Sequence, residues 1–349
     1  MPTPVVTIGF SLHRPEMVPL MAGHMRIHDA LFLEEPATAE FDRMLSGSIP
    51  VDEYVMTLDS EYPQFTKLMC AVLREFKSNG KEIFQVEPYL ENLVALHDFF
   101  ADGGRPDDLN KNTLIYLVYL AEKKSTGTLL HYYQTATSRS FDMIVDAVKR
   151  FARTDAERFR LRDALRAQAL SALIDNFSSS FVEAGMMHYP LKRLMARQAP
   201  QSLRIKSVFP ANEVLQNLGQ KGHLYGPGDQ LTLLYIFHPE ITATERETLL
   251  AARALIYSKI VIKEELNADM AAYPHLRDEL ICIKVTRRLS VNDCRRLFAR
   301  IRGVNTFEAR QIVAEDVMGS SPHLGQLLKS GRHRFEDVKG QQGNEAAAF

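Results

Sequence analysis

Several motifs that would identify a common enzyme class are missing from this chain. It has no glycine-rich phosphate-binding loop, no Gly-x-Ser-x-Gly segment and no Cys-x-x-Cys pair. These absences disfavour P-loop nucleotide hydrolysis, serine-hydrolase chemistry and thiol redox chemistry, because each depends on the missing motif for its reactive groups.

Cysteine is scarce as well. Cys70, Cys282 and Cys294 are odd in number and lack the close spacing of a zinc knuckle, so we expect three reduced thiols in a reducing compartment. The N-terminal segment lacks the basic and apolar regions of a secretory signal. No apolar run approaches the ~18 residues of a membrane span. The sequence therefore predicts a cytoplasmic protein that does not act at membranes.

Neither sign of charge dominates, since the chain has 42 Lys and Arg residues and 43 Asp and Glu residues, which gives a net charge of -1. This balance argues against capture of nucleic acid by the charge of the whole protein. A local basic cluster has no interleaved aromatic residues; its members are Arg287, Arg288, Arg295, Arg296, Arg300 and Arg302. We interpret it as a solvated helix face, with nucleic-acid contact as the less favoured alternative. The sequence leaves homo-oligomerisation open.

The first part of the chain alternates strand and helix patterns. Continuous apolar runs predict strands at Val5–Gly9, Ala30–Leu33, Glu82–Val86 and Phe181–Ala184, and Pro63–Ser78 has the spacing of an amphipathic helix. Buried parallel strands separated by helices are typical of an α/β fold. We therefore predict that residues 1–200 form an α/β domain, with a mostly parallel sheet flanked by helices.

The pattern changes near Pro200. Residues 201–325 are predicted to form a smaller C-terminal α+β region, with strands at Leu231–Phe237 and Leu280–Val285. Residues 326–349 are polar toward their end and are predicted to be a disordered tail. Ser140–Phe177 is a long helical region, either one helix or two helices divided near Thr154.

Polar residues follow each of the four strands of the first domain. His13 follows the first strand, Glu34 and Glu35 the second, Glu87 the third and His188 the fourth. If the strands are neighbours in one parallel sheet, these residues meet at its carboxyl edge, where open α/β sheets place their ligands. Two histidines and several carboxylates at that edge would suit a divalent metal or general acid–base chemistry. The alternatives are structural: His13 or Glu87 as a helix cap, His188 satisfied by backbone, and Glu34 in an ion pair with Arg162 or Arg166.

The order of these motifs resembles a superfamily that includes erythromycin-esterase-like hydrolases, TraB pheromone-shutdown proteins, Tiki metalloproteases and ChaN-type haem-binding lipoproteins. The resemblance covers about 200 residues, and its motifs are listed here in chain order: Gly9-Phe10-Ser11-Leu12-His13, Leu33-Glu34-Glu35, the Arg-bearing segment 162–167 and Gly185-Met186-Met187-His188. Several relatives carry Glu directly after the first Gly, where this chain has Phe10. That departure removes one carboxylate from the site that the resemblance implies.

Residues and resemblance together predict a hydrolase that acts on a small-molecule substrate. His13 would be a general base or metal ligand, His188 a second ligand or base, Glu34 a ligand or acid–base group, and Arg162 the holder of an anion or oxyanion. The metal, where one is used, would be Mn, Zn or Fe. The alternative is a non-catalytic protein of the same fold that binds a small anionic ligand or a tetrapyrrole, and Phe10 favours that alternative.

Overall fold

The computed structural model describes residues 4–58, 60–198, 203–220, 224–266 and 272–330. The chain divides into two compact units. The first comprises residues 1–127 and 154–223, and the second comprises residues 128–153 and 224–349.

A parallel β-sheet organises the first unit. Its strands are β1 (Val5–Ser11), β2 (Ala30–Leu33), β3 (Glu82–Gln85), β4 (Ser179–Gly185) and β5 (Arg204–Val208). They lie in the order β3-β2-β4-β1-β5, and every neighbouring pair is parallel. The predicted α/β fold with a parallel sheet is confirmed, and the four predicted strands are neighbours. β5 was not predicted; it lies beyond residue 200 and adds an edge strand beside β1.

Helices lie between consecutive strands, as parallel strands require, and one more helix follows β5. Their bounds are α1 (Val18–Arg26), α2 (Ala39–Leu45), α3 (Val51–Thr57), α4 (Pro63–Ser78), α5 (Pro88–Ala101), α6 (Leu114–Ser138), α7 (Phe141–Ile174), α8 (Leu191–Gln198) and α9 (Pro210–Asn217). Short 3-10 helices occupy Pro15–Met17, Pro106–Asp108 and Met186–His188. The predicted helical region that starts at Ser140 is one continuous helix, α7, and it is not divided near Thr154.

The core of the first unit lies on the sheet. All four residues of β2 are buried, and the predicted apolar face of α4 buries Met69, Leu73 and Phe76. β1 and β4 come close together at Gly9, where an added Cβ would lie 2.3 Å from Cζ of Phe181. Gly9 therefore makes room for a core aromatic ring.

In its described residues the second unit is helical. Beyond the parts of α6 and α7 in residues 128–153, it contains α10 (Pro227–Phe237), α11 (Glu245–Ile260), α12 (Pro274–Arg287), α13 (Val291–Ile301), α14 (Thr306–Met318) and α15 (Pro322–Ser330). The strands predicted at Leu231–Phe237 and Leu280–Val285 are wrong, because these runs lie in α10 and α12. Periodicity cannot separate a short buried strand from a buried helix segment, and both runs are largely buried in helices.

The C-terminal boundary also differs from the prediction. Residues 326–330 of the predicted tail belong to α15, whereas residues 331–349 lie outside the described part of the chain. None of the described helices combines the length and the hydropathy that crossing a bilayer requires.

Candidate functional site

The carboxyl edge of the sheet gathers the predicted polar residues. β1 leads to His13, β2 leads to Glu34, and the 3-10 helix after β4 ends at His188. Helix α7 packs Arg162 and Arg166 against Glu34. The structure thus brings together all four residues predicted to be catalytic, although they are far apart in sequence.

His13 is paired with a carboxylate that was not predicted as a site residue. Its Nε2 lies 2.9 Å from Oε1 of Glu183, and the Phe65 ring stacks on the imidazole at 5.1 Å. The side chain of His13 is 40% exposed, so it faces the open side of the site, whereas that of Glu183 is 9% exposed. Burial by itself would lower the pKa of His13, but the hydrogen bond and charge of Glu183 outweigh it and raise that pKa above 6.5.

Glu34 lies at the centre of the buried charges. Its Oε1 accepts hydrogen bonds from His188 Nε2 at 2.7 Å and Arg162 Nη2 at 3.1 Å. Its Oε2 accepts from the Gly185 N–H at 2.6 Å and lies 3.5 Å from Arg166 Nη1. Burial opposes ionisation, but the charges of His188 and the two arginines hold the pKa of Glu34 well below its usual range. The ion-pair alternative for Glu34 is therefore what the structure shows, with both arginines.

His188 is engaged through both ring nitrogens. Its Nδ1 lies 2.5 Å from Oδ1 of Asp163, opposite the contact of Nε2 with Glu34. Burial would lower the pKa of His188, but these two carboxylates raise it to about 9, so the ring carries a positive charge at neutral pH. In this arrangement His188 fixes the position of Glu34, and neither nitrogen is available to a metal or a substrate proton.

Arg166 and Glu87 are neighbours of Glu34 in the buried part of the site, and both are fully buried. Arg166 donates to the backbone oxygens of Val86 at 2.9 Å and Glu183 at 2.6 Å, which ties α7 to two strand ends. The side chain of Glu87 forms no hydrogen bond to the described residues and does not cap α5. Its Oε2 lies 3.7 Å from Arg162 Nη2, but burial outweighs the charges of the arginines and raises the pKa of Glu87.

Glu35 turns toward β3. Its Oε2 accepts a hydrogen bond from Nε2 of Gln85 at 2.9 Å. Burial raises the pKa of Glu35, and the negative charge of Glu183 adds to that increase. Glu35 thus lies within electrostatic reach of the His13–Glu183 pair without a direct contact to it among the described residues.

Three of these residues offer donor atoms for a metal ion. His13, Glu34 and Glu183 each offer one ligand atom, and these three atoms lie within 4.8 Å of one another. An added Cβ on Gly185 would lie 3.6 Å from Oε2 of Glu34, 3.7 Å from Cδ2 of His188 and 4.0 Å from Cε1 of His13. Gly185 has φ −65 and ψ 155, a conformation open to any residue, so the missing side chain here leaves space between site groups.

Phe10 is fully buried, and its ring stacks on Phe209 at 5.1 Å and contacts Tyr189 at 5.7 Å. The carboxylate that pairs with His13 comes instead from β4, as Glu183. A charged residue within a buried strand requires a partner, and that was the signal in the sequence for Glu183. Asp163 had no comparable signal, because nothing in the helix pattern of α7 showed that its side chain is buried.

These features define the first unit as an α/β domain with a histidine–carboxylate–arginine site at the carboxyl edge of its sheet. The chain belongs to the same family as an "Uncharacterized protein" of Archaeoglobus fulgidus, to which it is 31% identical over 294 residues. The match covers 84% of this chain and 97% of the relative. No family model matches the chain. No solved structure matches it either.

Proposed function

We propose that this protein is a hydrolase in which His13, oriented by Glu183, takes a proton from the attacking water. The observation that carries the proposal is the 2.9 Å His13–Glu183 pair, with its imidazole at the open side of a buried charge network. A histidine oriented by a carboxylate is a common arrangement for general-base catalysis. The resemblance of the motifs to the superfamily with erythromycin-esterase-like hydrolases supports the same reaction class.

The other residues have roles that follow from their contacts. The side chain of Arg162 is 13% exposed, and its Nη2 donates a hydrogen bond to Glu34. Its Nε is buried and has no hydrogen-bond partner among the described residues. The positive charge of this partly exposed guanidinium can stabilise the negative charge that develops on the oxygen of the attacked group. Asp163 and His188 hold Glu34 in place, which in turn keeps Arg162 oriented. These four residues position the reacting groups around the space beside Gly185.

The donor set fits a divalent metal. One imidazole and two carboxylates suit Mn²⁺, Fe²⁺ or Zn²⁺, and Gly185 leaves space next to His13 and Glu34. His13, Glu34 and Glu183 would hold the ion, and His13 would then serve as a ligand instead of the base. His188 would not hold it, because both of its nitrogens are engaged. A bound metal would supply Lewis-acid polarisation and a more acidic water.

Elemental analysis and hydrolysis assays on the purified full chain test this proposal together. The samples are wild type, His13→Ala and Gly185→Ala, each assayed after chelation and again after addition of Mn²⁺, Zn²⁺ or Fe²⁺. We expect hydrolysis of a carboxylic ester or amide that falls by about 100-fold or more in His13→Ala, the typical contribution of a positioned base. A wild type that hydrolyses none of a broad panel of esters, amides and phosphoesters contradicts the proposal, whether or not it binds metal.

The pH profile provides a more specific test of the His13–Glu183 pair. His13 must be neutral to accept a proton, so activity should rise with pH through an apparent pKa above 6.5. Glu183→Gln removes the charge that raises this pKa, so the rising limb should move to lower pH while kcat decreases. A limb that stays in place in this variant would assign the base to another residue.

A binding protein for a small anionic ligand or a tetrapyrrole is the second candidate. The observation that supports this candidate is that Glu34 is already hydrogen-bonded through both carboxylate oxygens. They accept from His188, Arg162 and the Gly185 N–H. A ligand carrier would bind such a molecule without turning it over. Stoichiometric binding that is lost in Arg162→Met, without turnover by the wild type, would favour this candidate.

A further inference from the structure

A cleft of about 640 Å³ opens within the second unit, and the candidate active site contributes none of its described lining residues. It lies between the first turns of α11 and α13, and its lining includes Thr244 and Ser290, the N-cap residues of these helices. Small-molecule sites in proteins typically have volumes of about 300–1,000 Å³. The cleft therefore has the size of a ligand site.

The charge in this cleft comes mainly from two arginines. Arg253 and Arg288 line it, and neither forms an ion pair among the described residues. Among its described lining residues Glu245 is the single acidic one, and it is exposed. The balance of lining charge is therefore positive, in a protein whose total net charge is -1.

Arg253 is held in a fixed orientation without a counter-ion. Its Nε donates to the Leu289 oxygen at 2.9 Å and its Nη2 to the Arg287 oxygen at 2.7 Å. Burial and the nearby charge of Arg287 lower the pKa of Arg253, and no carboxylate opposes them. A partly buried guanidinium normally has an anionic partner, and the remaining donors of this planar group match phosphate oxygens.

The two helix starts at the cleft are closed by capping boxes. Thr244 accepts from the Glu247 N–H and Ser290 from the Asp293 N–H, both at 3.2 Å, so each cap uses the third N–H of its helix. The carboxylates of Glu247 and Asp293 accept in turn from the N–H groups of Thr244 and Ser290, so each helix start already has an acidic partner and the attraction for an anion comes from the arginines. Apolar residues Leu249, Leu289 and Val291 also line the cleft, so it can accept an organic group next to an anion.

From the cleft and its unpaired arginines we infer that the second unit binds a small phosphorylated molecule between α11 and α13. Arg253 and Arg288 contact the phosphoryl oxygens, and the apolar lining contacts the attached organic part. This site is separate from the proposed hydrolase chemistry and does not depend on it. Two other basic residues of the cluster already have acidic partners: Arg295 pairs with Asp142, and Arg296 pairs with Asp316.

Titration of the full-length protein with inorganic pyrophosphate tests the inference, by calorimetry and by backbone amide shifts at constant ionic strength. We expect saturable binding with the largest shifts at the first turns of α11 and α13. Arg288→Ala, at an exposed position, should weaken binding about tenfold, the loss that one charge-assisted hydrogen bond implies. Arg300→Ala is the matched control, because Arg300 is an exposed arginine of α13 outside the cleft, and it should leave binding unchanged.

Two further variants distinguish a specific binding site from non-specific electrostatic attraction of pyrophosphate. Glu245→Gln should strengthen pyrophosphate binding by removing the acidic side chain from the lining. Arg253→Lys keeps the charge but loses the planar donors, so it should weaken binding. No saturable binding to the wild type overturns the inference, and so does an equal loss in Arg288→Ala and Arg300→Ala. Binding of a single-stranded RNA that pyrophosphate does not displace would assign the basic surface to nucleic acid instead.

Discussion

The imidazole of His188, held between Asp163 and Glu34, should remain protonated well above neutral pH. Contacts of 2.5 Å and 2.7 Å to these carboxylates raise its pKa from 6.5 to about 9. A difference of this size corresponds to roughly 3 kcal/mol of preferential stabilisation of the imidazolium in the folded state. His188 is 3% exposed, so solvent screens little of this interaction.

The sign of the pH dependence follows from the raised pKa. The folded state holds a proton that the unfolded state releases near pH 6.5, so the stabilisation is complete below that pH. It is lost progressively as the pH rises toward and through about 9. The free energy of unfolding should therefore fall by roughly 3 kcal/mol across this window because of His188 alone. His188→Gln removes the titrating group and should flatten that part of the curve.

Nitrogen-15 NMR of the histidine rings and urea denaturation measure the two halves of this prediction. Both use chelator-treated protein, so that no metal competes for Glu34. The resonance that disappears in His188→Gln should show a protonated ring at pH 7.5 and titrate near pH 9. A neutral His188 ring at pH 7.5, or wild type and His188→Gln curves that remain parallel between pH 6.5 and 9, would refute the reasoning.

Three other variants test further features of the first unit. Gly9→Ala should lower the free energy of unfolding by about 1–3 kcal/mol, because its Cβ would meet Phe181 at 2.3 Å; denaturation should show partial rescue by Phe181→Leu. Gly185→Ala should fold with near wild-type stability, since its Cβ makes ordinary contacts at 3.6–4.0 Å, yet lose ligand or metal binding. Glu87→Gln should stabilise the protein at pH 7–8 and lose this advantage near pH 4, because burial raises the pKa of the native carboxyl; wild-type stability that exceeds the variant at pH 8 would contradict this account.

The α/β fold of the first unit was largely predictable because its signals are local. Each of the four predicted strands is an apolar run next to a helix pattern, and a parallel sheet buries such runs on both faces. β5 escaped prediction because its residues alternate between exposed and partly buried at the edge of the sheet. The runs at Leu231–Phe237 and Leu280–Val285 were predicted as strands because hydropathy alone does not show whether a short buried run is helical.

The candidate site was predictable only in part. His13, Glu34 and His188 could be named because residues at strand ends share one edge of a parallel sheet. Their roles depended on contacts across the fold: Glu183 pairs with His13, and Asp163 with His188, over 170 and 25 residues of sequence. Sequence determined which residues reach the site, whereas tertiary packing determined which of them are charged, which are paired and which remain open to a ligand. The physical reason is that burial and neighbouring charges set the pKa and hydrogen bonding of each group, and both are properties of the folded chain.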